Sequence, residues 1–440
     1  MTLKITKSAN LKNKAQKLIP HLTGTFSSAP NSFVENVYPV YAKSANGCHF
    51  FDVDGNEYID YLMGLGPITL GYNYPAVNDA IINQLKQGIL FSLPHPIEID
   101  LAELICKVVP NSEMVKFEKS GSNAVTGAVR AARAISKKNI IAYCGSGGVW
   151  HDWQAAMVSR DEGVPHFNRK LIKLFEFNDS DGLEQIFEEN KNEIGAIVLE
   201  PTIYEPPKKS FLKKVRKLAD SNNSVLILDE IVTGFRFDIA GGQKYFDIKG
   251  DFICYGKGMG NGLPISAITG PSEFMKIFDR LWVSSTNNRE TLSMAGCYAT
   301  IQEMKKKNTI KHCWTIGKKL FHGWNKISEK YGILAKMKGY PIRMTLNCTD
   351  LNHKLSKSLK ALVMQEMVKK GIFLSAGPAF ISFSHTNEDV DFTLSMWEKV
   401  CKDITMKTTN ENYNDLLEGN PPETIWTLKL KPTKRKTNSK

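Results

Sequence analysis

No run in this sequence approaches the roughly 20 apolar residues that a helix needs to cross a bilayer, so no membrane-spanning helix is expected. The first residues lack an apolar stretch with a small-residue cleavage site. They are rich in lysine (Lys4, Lys7, Lys12, Lys14, Lys17) and contain no arginine. Neither a secretory signal nor an organellar transit peptide is expected, and the expected location is cytoplasmic. CxxC pairs are also missing. The eight cysteines, at 48, 106, 144, 254, 297, 313, 348 and 401, are scattered, and none stands at zinc-ligand spacing from a histidine. That pattern predicts reduced thiols, no disulfide framework and no metal. There is no internal repeat.

What is present suits a globular chain. Its 440 residues, 42% hydrophobic and 23% charged, can bury a core for one large unit and a smaller one. The formal charge is +12, and part of the excess lies in the run from Lys429 to Lys440 around Lys434-Arg435-Lys436. No aromatic residue interleaves with those charges. The run therefore predicts a solvated, disordered tail, with neither nucleic acid nor membrane as a partner.

The patterning predicts an α/β fold. Phe50-Phe51-Asp52-Val53, the turn Asp54-Gly55 and Asn56-Glu57-Tyr58-Ile59-Asp60 spell a hairpin. From about 98, short apolar runs alternate with helical patterns: Met114–Phe117, an Ala-rich helix over Ser122–Ser136, Ile140–Tyr143, Ala196–Leu199, Val225–Leu228 and Asp251–Tyr255. Such alternation means a mostly parallel sheet covered on both faces. The expected division is an N-terminal arm and part of a small domain over 1–80, and a large domain over 81–300. A C-terminal small domain follows over 301–405, and the tail over 406–440.

In an open α/β sheet, ligands sit outside the carboxyl ends of the strands. Four loops at such ends stand out. Lys119-Ser120-Gly121-Ser122-Asn123-Ala124 opens a helix, with Ser122 as a possible cap, and its free N–H groups could hold an anion. By itself it reads first as an ordinary strand–helix turn with a Ser cap. Leu228-Asp229-Glu230-Ile231 puts a carboxylate directly after four aliphatic residues, a costly place without a partner. Tyr255-Gly256-Lys257-Gly258-Met259-Gly260 surrounds a lysine with glycines; it fits neither a Walker A loop nor GxGxxG. A lysine in a cavity there could be desolvated into a good imine-forming nucleophile. Ser285 to Leu292 offers hydroxyls and another helix start, a second route to phosphate. An enzyme of pyridoxal phosphate (PLP) needs all of these together: an imine-forming lysine, a carboxylate for the pyridine nitrogen, a phosphate cradle and an apolar ring face.

With these residues the chain resembles the class-III (fold type I) PLP aminotransferases, in the branch of glutamate-1-semialdehyde 2,1-aminomutase. The similarity runs from about Thr23 to about 400. It is most specific in Leu228-Asp229-Glu230-Ile231-Val232-Thr233-Gly234-Phe235-Arg236 with Gly256-Lys257-Gly258-Met259-Gly260. The resemblance implies a large domain with a seven-stranded sheet and a small α+β domain built from both chain ends. It implies Lys257 as the Schiff-base lysine, Asp229 on the pyridinium, Ile231 under the ring, and Gly121, Ser122 and Asn123 as the phosphate loop. Glu200, in Glu200-Pro201, marks the site's edge. Thr286 reaches the phosphate of a neighbouring subunit, which implies a homodimer. Ser27 and Ser28 approach substrate. His385 is structural.

Two departures matter. In Gly147-Gly148-Val149-Trp150-His151-Asp152-Trp153 the family's ring-stacking aromatic, followed by His, falls on Trp150 with His151 in one register. In the other it falls on Gly147. The first is preferred here, because a bare ring face weakens cofactor binding. The segment Gln154–Lys170 is short where the aminomutase has a mobile lid. That favours amino transfer from a donor to an aldehyde or ketone over an intramolecular glutamate-1-semialdehyde 2,1-aminomutase. A non-catalytic relative is the third reading, and the persistence of Lys257 and Asp229 argues against it. Arg160, Arg236 and Arg289 are candidates for holding a substrate carboxylate, with Arg289 where the family usually has glycine.

Overall fold

The structure, a computed structural model, describes residues 3–145, 148–407, 412–425, 427–429 and 431–433. The chain divides into two compact units, residues 75–307 with 426–440, and residues 1–74 with 308–425.

The larger unit is organised by a seven-stranded sheet. Its order is Met114–Glu118, Ser266–Gly270, Phe252–Tyr255, Val225–Asp229, Ile194–Leu199, Ile140–Cys144 and Ile172–Leu174. Only Ser266–Gly270 runs against its neighbours. The central strands are near-continuous runs of Val, Ile and Leu because both of their faces are covered; Leu226, Ile227 and Leu228 are fully buried. The helix Gly121–Ser136 lies against this sheet through Ala124, Val125, Ala128, Val129, Ala131 and Ala132. Small side chains let it approach closely. At Gly127 even a Cβ would stand 2.9 Å from Ile268 Cδ1. The edge strand Ile172–Leu174 gave no signal in the sequence, since three residues are too few for a periodic pattern.

The smaller unit is α+β and joins both ends of the chain. The hairpin pairs His49–Asp52 with Glu57–Asp60. Its turn is held by Asp52 Oδ1, which accepts from Asp54 N and Asn56 N at 2.9 Å each, with Gly55 at φ +93°. Ile372–Phe373, from the far end of the chain, adds in parallel beside Glu57–Asp60. A second sheet holds Ala335–Tyr340, Arg343–Cys348 and Pro378–Phe380. The helices Thr309–Lys330 and Asn387–Lys407 are pinned by stacked Trp324 and Trp397, ring centroids 4.1 Å apart. His385 is fully buried against Tyr61, and its Nδ1 accepts from Ser382 N at 3.0 Å. Burial lowers its pKa to about 4.

Part of the tail departs from the expectation of disorder. Leu416 O accepts from Gln365 Nε2, and Glu423 N donates to Asn31 O, both in the smaller unit. Thr427, Lys429 and Thr433 hydrogen-bond in the larger unit, at Ser159, Met157 and Leu174. Backbone pairing, which composition does not reveal, outweighs the solvation of a polar segment there. The basic run 434–440 lies outside the described residues.

Candidate active site

Parallel pairing brings four strand ends to one level. Cys144 pairs with Leu199, Leu199 with Leu228, and Asp229 with Cys254. The residues that follow, Glu200 and Lys257, therefore emerge beside Asp229 at the carboxyl edge of the sheet. All three line one cavity of about 250 Å³, together with Ser120, Gly121, Ser122, Val125, Gly148, Val149, Ile231 and Val232. That volume is close to the lower bound, roughly 300 Å³, of small-molecule sites.

Each wall has a local cause. Ser120, not Ser122, caps the helix Gly121–Ser136: its Oγ accepts from Asn123 N at 3.2 Å. The N–H groups of Gly121 and Ser122 belong to the first turn, which has no intrahelical acceptors. Gly121 has to be glycine, because a Cβ there would meet Ile231 Cγ2 at 2.9 Å. A Cβ on Gly256 would likewise stand 3.2 Å from Ile231 Cδ1, so two glycines make room for one isoleucine. Asp229 Oδ1 accepts from Ile231 N at 3.1 Å, which fixes the carboxylate at the strand end. Lys257 sits at φ +41°, in the left-handed region that a non-glycine residue enters at a cost of about 1–2 kcal/mol. Strain held at a lysine in a cavity is a mark of a functional position.

Sequence reasoning missed Glu230. It is fully buried; Thr233 Oγ1 donates to it, as do Gly242 N (2.8 Å) and Gln243 N. Burial nevertheless raises its pKa to about 7. It ties the loop after Asp229 back to the helix at Gly242. The available signal was a second carboxylate in the same apolar run. Gly148, Val149, Val125 and Val232 were missed as well, and no sequence signal marks them.

Residues 31–388 match the profile of the family "Aminotransferase class-III". A 3-aminobutyryl-CoA aminotransferase from Cloacimonas acidaminovorans is 32% identical over 401 residues, covering 89% of this chain and 96% of the relative. A glutamate-1-semialdehyde 2,1-aminomutase from Acetivibrio thermocellus is 32% identical over 418 residues, with the same coverages. Among solved structures, an omega-transaminase from Sphaerobacter thermophilus superposes with a TM-score of 0.81 at 25% identity, covering 90% of this chain and 97% of that one. The chain belongs to the class-III aminotransferases. It is an enzyme of PLP-dependent amino transfer, acting on a small-molecule amino donor and a carbonyl acceptor, and its fold is the type I PLP-transferase fold.

Not every expected residue of this aminotransferase reaches the cavity. Trp150 is 74% exposed and is not among the lining residues. The turn is set instead by Trp153, which is buried, stands edge-on to Tyr143 and donates from Nε1 to Thr126 Oγ1 at 2.9 Å. His151 Nδ1 meets the same hydroxyl at 2.6 Å, and burial lowers the pKa of that ring. With both rings committed inward, Trp150 points out and Val149 forms the wall. Gly147, the other register, lies outside the described residues. Asn123 is drawn to Ser120 Oγ, 2.5 Å from its Oδ1, and does not line the cavity. Thr286 is exposed in the short helix Thr286–Arg289.

The helix Thr291–Lys306 does not offer a second phosphate site. Its N-terminus is filled by Glu290, which accepts from Leu292 N at 2.9 Å and Ser293 N at 3.1 Å and pairs with Lys119 at 2.6 Å. Arg289 donates to Ser92 O at 3.3 Å, Arg236 is buried and Arg160 exposed; none of the three lines the cavity. Ser27 and Ser28 belong to the smaller unit, in the turn Phe26–Ser28. There too, Cys48, His49 and Asp389 gather within 4.8 Å. We read this group as a tie between hairpin and helix, because Asp389 accepts from both His49 Nε2 (3.0 Å) and Cys48 Sγ (3.3 Å).

Proposed function

We propose that this aminotransferase holds PLP in the cavity between Lys257 and Asp229, with Lys257 as the amine that bonds the cofactor. The observation that carries this reading is that both residues, delivered by adjacent parallel strands, line one cavity whose remaining walls, apart from Glu200, are apolar or loop and helix-terminal. The residues fit the group. Ile231, given room by Gly121 and Gly256, offers an apolar face. The first turn of the helix Gly121–Ser136 suits a phosphate, with Gly121 and Ser122 nearest. Val149 and Glu200 also line the cavity, and Val149 adds a further apolar surface. Asn123 acts through Ser120 and holds the cap.

When bound, the cofactor supplies an electrophilic carbon and a ring that accepts electrons. Asp229 keeps a negative charge toward the pyridine nitrogen and so favours its protonated form. The Nζ of Lys257 would take the proton from the amine-bearing carbon of the donor and return it. The buried aliphatic wall excludes water from that transfer. Thr286, exposed here, serves the site of a second copy, so the working enzyme is a homodimer.

The same reading favours transfer from an external donor over intramolecular exchange, because Gln154–Lys170 is short for a lid that retains a released diamine. Purified protein should absorb in the visible imine band, and Lys257→Ala should abolish that band. Wild type without the band after incubation with PLP refutes the assignment. Turnover of glutamate-1-semialdehyde with no added donor refutes the preference for intermolecular transfer.

A further inference from the structure

The family match ends at 388, yet the chain returns to the larger unit beyond it. Residues 427–429 lie alongside 157–159, joined at one isolated bridge. Val158 bridges Leu428 in antiparallel fashion. Ser159 N donates to Thr427 O at 2.8 Å, and Lys429 N to Met157 O at 2.7 Å. Thr427 N donates to Ser159 Oγ at 3.0 Å. Further on, Thr433 N donates to Leu174 O at 2.7 Å, on the edge strand of the sheet. Beside this ladder Asp161, 6% exposed, is gripped by Lys429 Nζ and by Arg169. Those two cations, Lys429 first, hold its carboxyl down to about 2.

The segment so gripped continues directly into the cavity wall. From Val149 it runs through the turn of helix Asp152–Ala155 to Val158. On its inner side it is anchored to the helix Gly121–Ser136, through His151 and Trp153 on Thr126. On its outer side its anchors include the C-terminal residues and the Asp161 pairs. The wall has one helical turn, a bond from Val149 N to Gln154 Oε1 and the buried side chains of Trp153, Ala156 and Met157, and the anchors at its outer end add to these in setting how often it opens.

We propose that the C-terminal segment is a strap that positions the 149–161 wall of the active site, with Lys429 as a positioning residue. This rests on the reading of the cavity as the site of amino transfer. Held by the strap, Val149 keeps its place against the cavity, and the opening that substrate meets stays narrow. Without it the wall opens more often, and substrate binds less tightly, while Lys257 and Asp229, carried by the sheet, keep their chemistry. If the strap only covered the edge strand Ile172–Leu174, its loss would lower thermal stability and leave substrate affinity alone.

The test compares the full chain, a deletion of residues 426–440, and Lys429→Ala and Lys429→Arg. Hydrogen exchange is read over 149–156, a stretch that the strap does not bond directly, together with steady-state kinetics on the amino donor. The strap predicts that the deletion speeds exchange over 149–156 by about tenfold or more and raises KM about fivefold, with kcat within about twofold. Lys429→Ala should move both readouts in the same direction, and Lys429→Arg should restore them. Unchanged exchange over 149–156, or an unchanged KM, in the deletion overturns the proposal. Should the deletion fail to fold, the Ala and Arg variants decide on the same two readouts. Exchange is independent of turnover, so a failure of the cavity assignment, seen as a missing visible band with Lys257 in place, is told apart from a failure of the strap.

Discussion

Glu230 should make the stability of the loop after Asp229 depend on pH. Its carboxyl is fully buried, and burial raises its pKa to about 7, outweighing three donated hydrogen bonds, from Thr233, Gly242 and Gln243. An acid whose folded pKa lies above its unfolded value stabilises the fold below the unfolded pKa; that contribution is lost as pH rises through the folded one. The rise from 4.5 to about 7 corresponds to about 3 kcal/mol, most of it lost between pH 5 and 7. His385 works in the opposite sense over part of this window: its pKa is lowered to about 4, so the fold gains stability as pH rises toward 6.5. Wild type alone would blend the two. The perturbation is therefore Glu230→Gln, which removes one titration and leaves the other. In guanidinium unfolding followed by tryptophan fluorescence, the stability of wild type relative to Glu230→Gln should fall by about 3 kcal/mol from pH 4.5 to pH 8. A difference that is flat with pH, or that grows as pH rises, refutes the argument that burial wins over the three donors.

Other substitutions test the site piece by piece. Asp229→Asn should leave PLP bound, retaining the visible band, while lowering kcat at least about 100-fold in a donor assay; a loss under tenfold would remove Asp229 from its role. Gly121→Ala drives a Cβ into Ile231, and PLP affinity by absorbance titration should fall about tenfold; an unchanged affinity would refute the crowding argument. Glu290→Ala removes the cap of the helix Thr291–Lys306 and the partner of Lys119, and should cost about 1–2 kcal/mol, read as a Tm lowered by about 2–4 °C.

Much of the site was legible because its signals are local. Asp229 and Lys257 each follow a short apolar strand, and a parallel sheet brings consecutive strand ends to one edge. Gly121 and Gly256 were visible as glycines, but the reason for them was not. It is the bulk of Ile231, which only the fold brings between them. Trp150 faces away from the cavity because adjacent aromatics compete for one turn, and the competition is settled by Thr126, 24 residues earlier in the chain. The helix start at Thr291 looked like an anion site, since a carboxylate at position 290 can turn either outward or onto its own helix; here it caps. The strap was invisible. Its composition is that of a disordered tail, and its order comes from backbone pairing with a segment some 270 residues away.

The central claim is that the nitrogen of Lys257 bonds the cofactor in this cavity. Borohydride reduction of the PLP-loaded enzyme, followed by tryptic digestion and mass spectrometry, locates that bond covalently. The account predicts a pyridoxyl group on Lys257 at close to one per chain, and none on that peptide in Lys257→Ala. A label spread over surface lysines, or concentrated on any other single lysine, would contradict it.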